Sequence, residues 1–208
     1  MFIALLGSIG IQAQQTWTAP TMNFKTFADG DTVFFYNVST GMFLTEGNAY
    51  GTQASLGTTG TPFAPLKQTD GTYLMLNKGE VGNGTKTPTG WMKLFADNYT
   101  TYPGAAYFDE NTQGHDHWIF YPKGDGTMEI SLDTTLTADL GVTRFGWNGG
   151  KNTVVYPILD MANDTASKYG VVWKTIIYND PSIALFTAKT ALSKAMTAAQ
   201  VAGVSIDT

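Results

Sequence analysis

The chain has 208 residues, a net charge of −5 and only 14% charged residues. Its 12 Lys and Arg form no cluster, so it lacks the cationic face that nucleic acid or an anionic membrane would require. The absence of cysteine excludes disulfides, thiolate metal sites, a Cys nucleophile and a lipidated N-terminal Cys.

Phe2 to Ile11 reads FIALLGSIGI, an uncharged apolar run of ten residues. A membrane-spanning helix needs about 20. The run has the length of a signal-peptide core, and Ala13 offers a small residue for cleavage. Residues 1–13 are therefore expected to be a signal peptide. The mature chain is expected to be exported, secreted or at the cell surface, without a membrane span and not as a lipoprotein.

Beyond it, 31 Thr, 13% aromatics and 23 Gly favour strands joined by tight turns. Asp70-Gly71-Thr72 recurs as Asp125-Gly126-Thr127, 55 residues later. The aromatics seven residues before them, Phe63 and Trp118, keep the same step, and one more step reaches Trp173. The segments starting at Asp31, Gly71 and Gly126 resemble one another as opening strands, and those at 63, 118 and 173 as closing strands. Each unit carries a Gly-, Asn- and aromatic-rich hairpin between them: residues 47–56, 96–108 and 145–156. One such unit cannot bury its apolar side alone, whereas three around an axis can, and closure removes sheet edges. The pattern resembles the β-trefoil, a six-stranded barrel capped by three hairpins, over residues 14–179; a β-sandwich is the competing all-β architecture.

From Asp180 the pattern changes. Asp180-Pro181 supplies an N-cap and a proline at the first helical position. Leu185, Ala188, Leu192, Ala195, Met196 and Ala199 recur at helical spacing, and Gly203 offers a stop. These residues predict an amphipathic helix over 182–201. Residues 180–208 read as a helical linker or the start of a further domain.

A family resemblance rests on two stretches. Phe35-Tyr36-Asn37-Val38-Ser39-Thr40-Gly41-Met42-Phe43-Leu44 and Gly47-Asn48-Ala49-Tyr50-Gly51-Thr52-Gln53-Ala54-Ser55-Leu56 resemble ricin-type, lectin-like β-trefoil modules of secreted gut-bacterial multidomain proteins. The resemblance covers residues 30–178 and implies a non-catalytic carbohydrate-binding module followed by further domains. The ricin-type signature is Gln-x-Trp, and the residues two before the aromatics here are Thr61, Asp116 and Val171. This chain departs from the galactose-binding pattern at that point.

Sugar sites pair a flat ring for the C–H face with amides or carboxylates for the hydroxyl edge. Three places carry such residues: Asn48, Tyr50 and Gln53; Asn98, Tyr99 and Tyr102 beside Asp97; and Trp147, Asn148 and Lys151 among glycines. Ordinary hairpin-turn chemistry is the competing explanation of the same Asn and Gly residues. His115 and His117 could share a strand face and a metal, but they read better as a polar lead-in to Trp118. No G-x-S-x-G elbow occurs, and the Gly-rich run 79–90 lacks the Lys-Ser/Thr step of a phosphate loop. Glu46, Glu80, Asp109, Glu110 and Glu129 read as solvated loop carboxylates. The N-x-Ser/Thr sequons at Asn37, Asn83, Asn98 and Asn163 are what a Thr-rich chain produces by chance. The expected partner is a glycan or polysaccharide, with no cofactor and no nucleic acid.

Overall fold

The computed structural model describes residues 22–46, 52–79, 92–96, 106–109, 115–133, 143–147, 155–159 and 170–202. Its strands are β1 (Val33–Asn37), β2 (Met42–Glu46), β3 (Ala54–Gly57), β4 (Phe63–Lys67), β5 (Tyr73–Asn77) and β6 (Met92–Ala96). They continue with β7 (Ala106–Asp109), β8 (His117–Pro122), β9 (Met128–Leu132), β10 (Thr143–Trp147), β11 (Val155–Leu159) and β12 (Val172–Ile177). One helix, α1 (Pro181–Val201), follows.

The two Asp-Gly-Thr triplets make equivalent turns. Asp70 Oδ1 accepts from the Thr72 N–H at 2.9 Å and the Thr72 hydroxyl at 2.6 Å, and Asp125 accepts from Thr127 at 2.9 and 2.5 Å. Gly71 and Gly126 stand between them at φ 89° and 80°, where a side chain would be strained. These bonds, the Thr hydroxyl first, hold both carboxyls below their ordinary pKa. The turns produce the β4–β5 and β8–β9 hairpins.

Six strands close a barrel in the order β1, β12, β9, β8, β5, β4 and back to β1, every pair antiparallel. Closure through Val33 and Phe63 is what a two-sheet sandwich lacks. The register recurs around the ring. Phe63 stands opposite Val33 and Asn77, Trp118 opposite Tyr73 and Leu132, and Trp173 opposite Met128 and Asn37. Each aromatic meets the first residue of one opening strand and the fifth residue of the next. The N–H groups of Val38, Lys78 and Asp133 then donate to Val172, Pro62 and His117 at 3.0, 2.8 and 2.9 Å. At the far end, Gln68, Lys123 and Tyr178 donate to Thr72, Thr127 and Thr32 at 2.8, 2.9 and 2.8 Å.

Hairpins β2–β3, β6–β7 and β10–β11 all leave from the end of the barrel that holds Phe63, Trp118 and Trp173. Their second strands, β3, β7 and β11, touch one another across that end. Strand alternation separates two apolar groups. Val33, Phe35, Phe63, Met75, Trp118, Met128, Ile130, Leu132 and Trp173 fill the interior, joined by Leu44, Phe108 and Phe145 from the hairpins. Each large ring so buried stabilises the fold by about 1.5–3 kcal/mol. Trp173 stacks on Phe145 at 5.6 Å and donates its indole N–H to the Phe145 carbonyl at 2.7 Å.

The second apolar group lies outside the wall: Met22, Phe34, Phe43 and Ile176, overlaid by Ile183 and Phe186 of α1. Asp180 caps α1 by accepting from the Ser182 N–H at 2.9 Å. The docked side chains of the helix, Ile183 and Phe186, lie in its first two turns. Leu185 and Leu192, on the stripe predicted from spacing, remain half exposed. An extended strap, residues 22–28, crosses β12, with a Lys25 N–H bond to the Thr175 carbonyl at 3.0 Å. It delivers Phe27 edge-on to Tyr73 at 5.8 Å and Phe120 at 5.0 Å, filling the end of the barrel opposite the hairpins.

Candidate functional site

The three predicted sugar sites fall on the three hairpin connections. Asn48, Tyr50, Asn98, Tyr99, Tyr102, Asn148 and Lys151 lie outside the described residues. Gln53 and Trp147 are described, on different hairpins. Gln53 is half-buried and bridges to Tyr107 of β7, next to a bond from the Phe108 N–H to the Thr52 carbonyl at 2.8 Å. Trp147 ends β10, is half-buried and packs against the main core. Its N–H donates to the Gly170 carbonyl at 3.2 Å. The neighbouring Gly146 is needed for close approach: a Cβ there would sit 2.7 Å from both the Gly170 carbonyl oxygen and the Val171 Cα.

Asn37 and Asn77 occupy equivalent register positions under the hairpin end, and both are buried. The Asn37 amide donates to the Gly170 carbonyl at 2.5 Å and accepts from the Thr40 N–H at 3.1 Å and hydroxyl at 3.2 Å. Asn77 accepts from the Gly79 N–H at 2.7 Å, while its Nδ2 has no partner among the described residues. The third equivalent is Leu132.

Glu129 departs from the expectation of a solvated loop carboxylate. It sits mid-strand in β9 and is 8% exposed. Lys123 Nζ, from the turn before it, lies 2.5 Å from Oε1, and Arg144 Nε, from β10, lies 2.6 Å from Oε2. The Arg144 guanidinium also lies 4.8 Å above the Tyr121 ring. Burial works to raise the carboxyl pKa, but the bonds from Lys123 and Arg144 outweigh it and hold it below the ordinary glutamate range. Residue counting missed this cluster because its members meet across strands. The usable signal was a Glu inside the alternating run Met128–Leu132.

His117 Nδ1 lies 2.8 Å from the Asp116 carboxylate. Among the described residues no three His, Asp or Glu side chains gather as a metal site would require. No described helix is long and apolar enough to cross a membrane.

No family model and no curated protein matches the chain. Its likeness is to solved structures. A complex of lysenin with phosphocholine is similar at a TM-score of 0.51 and 13% identity, covering 75% of this chain and 47% of that one. A lysenin pore is similar at 0.49 and 13%, covering 74% and 48%. A designed 3-fold symmetric protein, ThreeFoil, gives 0.46 and 12%, covering 70% and 97%. The chain spans about half the length of the lysenin chains it matches. The barrel with its hairpins is β-trefoil-like.

Proposed function

We propose that the chain is a β-trefoil of three structural repeats serving as a non-catalytic, lectin-like carbohydrate-binding module of an exported bacterial surface protein. The observation that carries this reading is the register that recurs at Phe63, Trp118 and Trp173. It supports three hairpins at one end of the barrel; the first two connections carry Asn, Gly and Tyr, and the third carries Asn, Gly and Lys151 beside Trp147 of β10. A ring for the sugar C–H face and amides for its hydroxyls are the chemistry such connections carry. Weak sites on one rigid body gain by avidity against a repeating polysaccharide.

A structural or protein-binding β-trefoil is the second reading. It draws support from Gln53 and Trp147, which are both engaged in packing within the fold. A glycan array probed with the full chain separates the two. Binding that Tyr50→Ala or Asn148→Ala weakens, with the thermal midpoint unchanged, supports the lectin. An array without signal above background rejects it, and hydrolysis of a glycan by the chain alone rejects the non-catalytic part.

A further inference from the structure

The three hairpins are not attached to the barrel in the same way. Strand β2 is laddered to β1 through Tyr36–Phe43 and Asn37–Met42, and β6 to β5 through Leu76–Lys93 and Asn77–Met92. Among the described residues no ladder joins β10 to β9, and β10–β11 stands as a separate two-stranded sheet. The hairpin still lies against β9 about as closely as β2 lies against β1, and the contacts that hold it include Phe145 in the core, the Trp147–Gly170 bond and the Arg144–Glu129 ion pair.

The ion pair occupies a position the fold fills differently elsewhere. On the outer wall, the pairs Phe34–Ile176, Leu74–Leu66 and Glu129–Tyr121 are equivalent in register. The first is covered by Phe43 from β2, and the third by Arg144 from β10. The barrel therefore does not require charge there, since Phe34 and Phe43 do the same job with apolar surface. A buried ion pair rarely stabilises more than apolar packing of the same volume, and its best-attested use is to set register.

We infer that Glu129 and Arg144 are positioning residues that lock the β10–β11 hairpin, whose strand β10 ends in Trp147, in one seating on the barrel. Phe145 sets how deep the hairpin sits. The planar guanidinium, held between the carboxylate and the Tyr121 ring, sets its rotation and register. Lys123 belongs to the β8–β9 turn, so it neutralises Glu129 without touching the hairpin. The link to binding rests on the lectin reading; the hairpin lock does not.

The test is hydrogen exchange on the full chain, resolved by segment, for wild type, Glu129→Gln, Arg144→Met and Lys123→Met. Losing the charged bond should speed exchange in β10–β11 by about tenfold or more in Glu129→Gln and Arg144→Met. Segments β2–β3 and β6–β7 should stay within about twofold, and Lys123→Met should leave β10–β11 near wild type. Uniform acceleration across all three hairpins would mean a merely structural carboxylate and overturns the inference, as would an unchanged β10–β11 in Arg144→Met. If the array identifies a ligand of the third connection, Arg144→Met should weaken it while Lys123→Met does not. A chain that binds no glycan yet shows the selective exchange retains the lock and loses only the lectin reading.

Discussion

Replacing Asn37 and Asn77 separately by leucine tests whether equivalent register positions can be read as equivalent environments. Asn37→Leu removes a donor to the Gly170 carbonyl and an acceptor for two groups of Thr40. The Gly170 carbonyl keeps its bond from Trp147, and the half-buried Thr40 can turn toward water. Each loss therefore counts near the ordinary net value of about 0.5–1.5 kcal/mol, for a total cost of about 2–4 kcal/mol. Asn77→Leu loses a single bond, from the Gly79 N–H. It also deletes a buried donor without a partner among the described residues, whose desolvation costs about 1–3 kcal/mol, so the change should be neutral or stabilising by about 1 kcal/mol. Leucine is already tolerated at the third equivalent, Leu132. In urea unfolding at an m of about 2 kcal/mol/M, the two variants should differ in midpoint by about 1–2 M with m unchanged. Equal midpoints, or a larger loss in Asn77→Leu, would refute the reasoning.

Phe27→Ala should destabilise by about 2–4 kcal/mol, because it empties the end of the barrel and removes edge-on contacts with Tyr73 and Phe120; a urea midpoint within error of wild type would show that the strap does not seal the barrel. Glu129 has its folded pKa held below the ordinary glutamate value, so its contribution is complete above that ordinary value and is lost as the pH falls through the folded one. Unfolding midpoints measured from neutral pH into the acid range should therefore fall more steeply at the acid end in wild type than in Glu129→Gln, and parallel curves would contradict the ion-pair assignment. Gly146→Ala meets backbone at 2.7 Å and should cost about 2 kcal/mol or more, whereas Gly71→Ala, in open space at φ 89°, should cost about 1–2 kcal/mol by strain alone. Thermal unfolding ranks the two, and the reverse order would remove the close approach at Gly170.

What the chain reveals before any coordinates is what short-range chemistry dictates. The Asp-Gly-Thr turns, the aromatics at 63, 118 and 173, the hairpin segments and the cap at Asp180 are each written in neighbouring residues. The 55-residue step is legible because Phe63, Trp118 and Trp173 of the closing strands are evenly spaced, whereas the opening strands at Val33, Tyr73 and Met128 are 40 and 55 residues apart. Glu129 was misread because its partners lie 6 and 15 residues away and on different strands. The strap was missed because an extended segment with Met22, Phe24 and Phe27 has no period to betray it. The helix was recognised, yet its docking residues are Ile183 and Phe186 rather than the Leu185–Leu192 stripe, because contact depends on where β12 releases the chain.

The barrel's seam is the pairing of its first and last strands, Val33 with Ile177. A ribosome delivers these partners 144 residues apart, so β1 waits with one edge unpaired while the chain between them is made. Its five residues are VFFYN, an apolar segment that a neighbouring nascent chain could template. The emergence of β12 is thus the event that ends this vulnerability. Truncations that stop short of residue 177 should yield aggregates rather than a smaller soluble barrel.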